Sequence, residues 1–193
     1  MGNEYLLSDP YNYLKRVIEA DYAGFRDLEA ELKPLCPYVD FHDYGYTYLG
    51  FDWRNKVVVD VGADVGSSAI YFIRKGARFV YLVENNPFYV SVYLRLKNSG
   101  RFPELRNTSL LSVSVGDIVR VGGDVLKVDC EGCEKDIIDS GVLSRFREWV
   151  VAIHKTPLGS RFDYYRDLLL GFGGVYIGSV NGDEFVFVCG GGV

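Results

Sequence analysis

The sequence has no excess of positive charge. Its 21 Lys and Arg residues against 26 Asp and Glu leave a formal net charge of -5, so the electrostatic footprint of a nucleic-acid binder is missing. The nearest thing to a basic patch is Arg101 with Arg106. No apolar run approaches the roughly 18 residues of a membrane span. The opening residues, MGNEYLLSDPYNYLKR, lack a basic stretch followed by an apolar one, which argues against a signal peptide. Tyr5 and Leu6 stand where a myristoylation signal would want Ser or Thr. These absences lead to the expectation of a cytoplasmic protein with no membrane partner. Internal repeats, low-complexity segments and long linkers are also missing. Of four cysteines, only Cys130 and Cys133 are spaced as C-x-x-C. Zinc would need a second ligand pair, and a redox role would need a helix N-terminus in a thioredoxin-like setting. The pair therefore reads as small residues filling a tight turn.

What is present is an ordinary globular balance. Hydrophobic residues make up 48% and charged residues 24% of 193, enough for one domain with its own core. Leu14, Val17 and Ile18 fit one amphipathic helical stripe. Phe25, Leu28 and Leu32 fit another, which Pro34 ends. Tyr44, Tyr46 and Tyr48 alternate as in a short strand, either packed on the core or forming a lid over a ligand. Residues 1–50 thus read as a helical and aromatic cap, and residues 51–193 as the main domain.

From Lys56 onward the texture changes. Apolar runs at Val57–Val59, Phe79–Val83, Val125–Val128 and Trp149–Ile153 are continuous rather than alternating, as suits strands buried on both faces. Helical segments at Ser67–Lys75, Pro87–Asn98, Cys133–Phe146 and Phe162–Leu170 lie among them. Two further runs, Val175–Val180 and Glu184–Val188, flank the hairpin signal Asn181-Gly182. The pattern predicts an α/β fold: a Rossmann-like, doubly wound, mostly parallel sheet that ends in an antiparallel hairpin.

The first run leads into Asp60-Val61-Gly62-Ala63-Asp64-Val65-Gly66, followed by Ser67-Ser68 at a helix start. Gly62 permits a turn that a ligand can approach, and Gly66 lets the helix begin close to the strand. The free N–H groups of that helix start, from Gly66 and Ser67, can hold polar ligand groups. Asp60 is expected near a cationic ligand's amine. Glu84 ends the second run, 24 residues after Asp60, with Asn85 beside it. A carboxylate there can accept from both hydroxyls of a ribose. A dinucleotide site would want a glycine at position 64. The Asp64 carboxylate would repel a pyrophosphate, which disfavours NAD and suits a phosphate-free sulfonium such as S-adenosyl-L-methionine. The expected cofactor residues are Asp60, Gly62, Ala63, Asp64, Gly66, Ser67, Glu84, Asn85 and Asp129.

The most specific stretch is Leu126-Lys127-Val128-Asp129-Cys130-Glu131-Gly132-Cys133-Glu134, an apolar strand running into carboxylates around one glycine. His154 ends the next run. In open α/β sheets, ligands bind outside the carboxyl ends of strands. Together, KVVVDVGADVGSSA, VYLVENNP, VLKVDCEGCEKDII and WVVAIH resemble the FkbM family of S-adenosylmethionine-dependent methyltransferases over roughly Asp52 to Val188. The family's third motif, approximately L-K-x-D-x-E-G-x-E, is met by Leu126, Lys127, Asp129, Glu131, Gly132 and Glu134. The resemblance implies a seven-strand class I methyltransferase fold and O-methylation of a hydroxyl on a sugar or secondary metabolite. Two departures stand out. The first motif's usual Asn is Asp64 here. The span from Asn98 to Asp124 is short, so part of the adenine-pocket wall is expected to be missing.

Methyl transfer to a hydroxyl is helped by a general base, and Asp129, Glu131 and His154 are the candidates. His154 has the more suitable unperturbed pKa; Glu131 matches the family motif. Lys127 is expected as a snorkelling strand residue or an ion-pair partner of Glu131 or Glu134. A divalent ion on Asp129, Glu131 and His154 is conceivable, but the same groups serve as a metal-free base site, and no metal is assigned. A small-molecule or sugar acceptor is expected and nucleic acid is not. An RNA or protein methyltransferase, and a non-catalytic binding protein on the same scaffold, are the competing readings. The oligomeric state is not legible.

Overall fold

A computed structural model describes residues 27–37, 52–180 and 182–190. The expected stripe of Leu14, Val17 and Ile18 and the tyrosines Tyr44, Tyr46 and Tyr48 lie outside the described residues. Residues 27–32 are helical, as the Leu28 and Leu32 spacing predicts, and both leucines are buried.

Seven strands form one sheet: β1 (Val57–Val61), β2 (Phe79–Val83), β3 (Thr108–Leu111), β4 (Val125–Val128), β5 (Glu148–His154), β6 (Val175–Val180) and β7 (Glu184–Cys189), in the order β3-β2-β1-β4-β5-β7-β6. The first five run parallel, and β7 pairs antiparallel with both β5 and β6. The main helices are α1 (Ser67–Arg74), α2 (Pro87–Ser99), α3 (Val115–Val121), α4 (Glu134–Asp139) and α5 (Phe162–Gly171).

The continuous apolar runs are explained by burial on both faces. Val58, Val80, Val125, Val150 and Val186 pack with residues of α1, α2 and Leu28, Leu32 and Cys36 on one side of the sheet. Val59, Leu126, Val128, Val151 and Phe187 pack with residues of α3, α4 and α5 on the other. The segment at 27–37 is therefore built into the same core as β1, and an ion pair of Arg74 with Glu31 and Glu104 reinforces it. Asn86 caps α2 by accepting from the Phe88 N–H, with Pro87 at the first helical position.

Three departures from the expected elements stand out, the first being α3, which lies in a span where no helix is expected. β3 is a four-residue edge strand beginning with two hydroxyl side chains, too short and polar to read as a buried run. The expected helix from Cys133 to Phe146 is α4 followed, past Gly141, by the 3₁₀ turn Val142–Arg145; Gly141 has a left-handed backbone (φ 71°) that ends regular α-helix. Among the described residues, no helix is long and apolar enough to cross a membrane.

The strand order reverses between β1 and β4, the place where an open parallel sheet leaves a crevice beyond its carboxyl ends. The register fixes what stands there. Val61 pairs with Val83 on one side and Val128 on the other. Gly62, Glu84 and Asp129 therefore follow at one level, one residue past the last rung.

Candidate active site

The Gly62 loop is held from below. Gly62 has φ 73°, and a β-carbon added to it would lie 1.8 Å from the Asp129 carbonyl oxygen. The space in the direction of its missing β-carbon is thus filled by the chain after β4, while the Gly62 backbone also lines the cavity above. Gly66 (φ 84°) lets the start of α1 pack on the Tyr93 ring, 2.9 Å from where its β-carbon would be. Between them Asp64 is also left-handed (φ 49°), a conformation that Asp and Asn tolerate best among residues with side chains. This accounts for an Asp where the resembled motif has Asn.

Beneath the loop lies a buried ion pair. Lys127 Nζ sits 3.1 Å from Asp60 Oδ1, with both side chains essentially inaccessible. The same ammonium donates to the Gly62 carbonyl at 2.8 Å, and the Ser68 hydroxyl donates to Asp60 Oδ2. Desolvation works to lower the Lys127 pKa, but the Asp60 and Asp129 carboxylates outweigh it and hold the amine above its usual range. Two sequence expectations are corrected here. Asp60 faces Lys127 and Ser68 rather than a ligand amine, and Lys127 pairs with Asp60 rather than Glu131 or Glu134. Strand alternation causes both: Asp60 and Lys127 are register partners on neighbouring strands and point to the same face.

Above the loop a cavity of about 660 Å³ opens along the strand ends, within the roughly 300–1,000 Å³ typical of small-molecule sites. Gly62, Asp64, Glu84, Asn85, Asp129, Glu131 and His154 line it. Ala63, Gly66 and Ser67, expected at the cofactor, are buried behind its wall with Asp60. Val113, Val115 and Ile118, around the start of α3, give the cavity an apolar side together with Val61 and Val83, with Ser114 among them. Within the short span from Asn98 to Asp124, the cavity is reached by Val113, Ser114 and the first turn of α3. Sequence reasoning also missed Asn86, Tyr89 and Glu184.

Glu84 is fixed before any ligand arrives. Its Oε2 accepts the Asp64 N–H at 3.1 Å and its Oε1 the Asn86 N–H at 2.7 Å. Each oxygen keeps acceptor capacity for a further partner. Nearby, the carboxylates of Asp64, then burial, then Glu131 and Glu84 push the Tyr89 phenol up.

The third motif forms a tight knot around Glu134. This buried carboxylate accepts the Gly132 N–H at 2.6 Å and the Cys130 N–H at 3.3 Å, and His154 Nδ1 donates to it at 2.9 Å. Burial works against its charge, but His154, its own backbone N–H and that of Cys130 keep its pKa below the ordinary value. His154 Nε2 points the other way, 3.8 Å from Asp129 Oδ1. Burial would lower the imidazole pKa, yet Glu134, Asp129 and Glu184 raise it to about 9. His154 is therefore an imidazolium at neutral pH, so the unperturbed value that favoured it as a base does not apply. Glu131 is exposed on a left-handed turn (φ 51°) at the cavity rim and is not brought into the His154 cluster.

Cys130 and Cys133 are joined by a disulfide, which corrects their reading as turn fillers. The turn around Gly132 brings their Cα atoms to 5.6 Å, well inside bonding reach. Cys36 and Cys189 are free thiols. Alkylation of the denatured chain without reductant is expected to label Cys36 and Cys189 alone, and all four cysteines after reduction. Labelling of Cys130 or Cys133 in the unreduced chain, read by peptide mass spectrometry, would contradict the bridge.

No protein-family model matches the chain. It is 29% identical over 167 residues to the uncharacterized protein 158B of Sulfolobus islandicus rod-shaped virus 1, covering 80% of this chain and 93% of that one. It is 27% identical over 119 residues to the uncharacterized protein 65 of Sulfolobus islandicus filamentous virus, covering 62% and 71%. Among solved structures, the fibrillarin of Aeropyrum pernix in complex with natively bound S-adenosyl-L-methionine has a TM-score of 0.54 at 16% identity over 70% of this chain and 66% of its own. The fold is that of the class I methyltransferases. The ribosomal protein L11 methylase of Lactobacillus delbrueckii subsp. bulgaricus shares it at TM-score 0.53 and 13% identity over 72% of each chain. In class I terms, the cavity sits in the crevice where the sheet order reverses, and the terminal β6–β7 pair is the expected antiparallel end.

Proposed function

We propose that this chain is an S-adenosylmethionine-dependent methyltransferase that methylates a hydroxyl oxygen on a small molecule or sugar. The observation that carries the reading is the pre-set Glu84 carboxylate on the wall of a cavity that also holds Asp129 and His154. In this reading, Glu84 accepts from the cofactor's ribose hydroxyls, and Val83, Val113, Val115 and Ile118 flank the adenine. The Gly62–Asp64 backbone and Asn85 border the methionine end, and Asp129 and His154 face the acceptor. The four motifs resembling the FkbM family, in the same order, support this subtype.

Charge supports both cofactor and acceptor class. Asp64, Glu84, Asp129, Glu131 and Glu184 line the cavity, and no Lys or Arg does among the described residues. Such a lining attracts a sulfonium and disfavours a phosphate backbone, which binds through Lys and Arg. Methyl transfer is an in-line displacement: the acceptor oxygen forms a bond to carbon as the carbon–sulfur bond breaks and its electron pair goes to sulfur. Orientation alone supplies as much as about 7–11 kcal/mol. With His154 already protonated, Asp129 is the group placed to accept the hydroxyl proton, and Glu134 keeps the His154 ring in position.

The test is binding of S-adenosylhomocysteine to Glu84→Ala by calorimetry. Losing a charge-assisted contact worth about 1.5–3 kcal/mol predicts roughly 10- to 100-fold weaker binding. Unchanged affinity would remove Glu84 from the ribose site.

A further inference from the structure

We propose that Asp129, His154 and Glu184 form a binding site for a divalent metal ion of the manganese type, at the acceptor side of the cavity. One ligand atom from each of the three lies within 4.8 Å of the others. They come from three separate places in the chain, joined only by the sheet. His154 and Glu184 are register partners on the antiparallel β5–β7 pair, and Asp129 follows β4, the neighbour of β5 on its other side. Ligands about 2.1 Å from one ion stand roughly 3.0–3.4 Å apart in octahedral or tetrahedral arrangements. The 3.8 Å between His154 Nε2 and Asp129 Oδ1 closes to that range with a small side-chain movement.

The surroundings of His154 are those of a metal ligand. Its Nδ1 is engaged by the fully buried Glu134 at 2.9 Å, and Glu134 is itself anchored by the Gly132 and Cys130 N–H groups. A carboxylate on one ring nitrogen fixes the ring and directs the other nitrogen to an ion. Here that other nitrogen, Nε2, faces Asp129. Glu184 is only 6% exposed and places a second carboxylate on the same spot. Two carboxylates and one imidazole make a mixed oxygen–nitrogen set, which suits manganese better than thiolate-seeking ions. Three protein ligands leave further positions directed into the cavity.

The role of the ion rests on the methyl-transfer reading; its binding does not. On binding, the ion replaces the Nε2 proton of His154, which is released to solvent. An acceptor hydroxyl on an open position would be acidified. With Asp129 engaged as a ligand, bulk water rather than Asp129 would take the acceptor's proton, and the new carbon–oxygen bond would form as the carbon–sulfur pair leaves on sulfur. The favoured acceptors are those that offer two adjacent oxygens, such as the vicinal diol of a sugar.

The experiment titrates MnCl₂ into the chelator-treated full chain, following free manganese by electron paramagnetic resonance, with S-adenosylhomocysteine binding measured on the same sample. One manganese per chain is expected. Glu184→Gln and Asp129→Asn should each weaken it at least 10-fold, and Glu134→Gln, which leaves all three ligands in place, should also weaken it. Circular dichroism confirms that each variant is folded, and the partly exposed Asp129 supplies a second ligand substitution should the buried Glu184 site not tolerate one. No stoichiometric manganese, or manganese affinity unchanged in both ligand variants, would overturn the site. If S-adenosylhomocysteine still binds in that case, the metal proposal alone fails. Manganese binding without S-adenosylhomocysteine binding would instead sink the methyltransferase reading.

Discussion

A Gly62→Ala variant is expected to lose more stability than any ordinary surface or loop substitution, on the order of 4 kcal/mol or more. Two costs add. The residue sits at φ 73°, where a side chain is strained, and its β-carbon would stand 1.8 Å from the carbonyl oxygen of Asp129. That oxygen belongs to backbone that continues the β1–β4 ladder, since the Asp129 N–H donates to the Val61 carbonyl at 3.0 Å. It cannot move without opening the sheet at the level where Glu84 and Asp129 emerge. For a domain of this size, 4 kcal/mol corresponds to about 8–16 °C in melting temperature. Thermal unfolding by circular dichroism reads the effect directly. A melting point within about 2 °C of the parent would mean that the two chain segments are not in the contact described.

Lys127→Ala is expected to cost about 3–5 kcal/mol, because it strands the Asp60 carboxylate, 0% exposed, without its cation. It also frees the Gly62 carbonyl from its 2.8 Å hydrogen bond, so the loop should loosen and S-adenosylhomocysteine affinity should fall along with stability. The double variant Lys127→Met with Asp60→Leu removes both charges and should recover much of the stability. Denaturant unfolding of the single and double variants separates the terms. A single variant as stable as the parent would show that Asp60 is not held as an anion by Lys127.

The strands were legible where both faces are buried. Val57–Val59, Phe79–Val83 and Trp149–Ile153 are uninterrupted apolar runs, and nothing else in a chain of this composition needs them. β3 was not, since Thr108-Ser109-Leu110-Leu111 is an edge strand with little to distinguish it from a loop. In the site, the motif positions Gly62, Glu84, Asp129 and His154 were legible because residues at strand ends reach the crevice whatever the details of packing. Asp60 and Lys127 sit in the same motifs but inside the sheet, and only the β1–β4 register shows that they meet each other. From the sequence alone, Glu184 is simply the start of a hairpin strand. Its place beside His154 depends on antiparallel pairing across 30 residues, which no local pattern carries. The Cys130–Cys133 bridge was equally hidden, because a two-residue spacing says nothing of how sharply the chain turns at Gly132.

The central claim is that the cavity above Gly62 takes S-adenosylmethionine. Calorimetric titration of the unaltered chain with S-adenosylhomocysteine, and separately with NAD, tests it most directly. The account predicts one S-adenosylhomocysteine per chain, displaced by S-adenosylmethionine, and no measurable heat from NAD, whose pyrophosphate would meet the Asp64 carboxylate. Saturable binding of NAD with none of S-adenosylhomocysteine would contradict it.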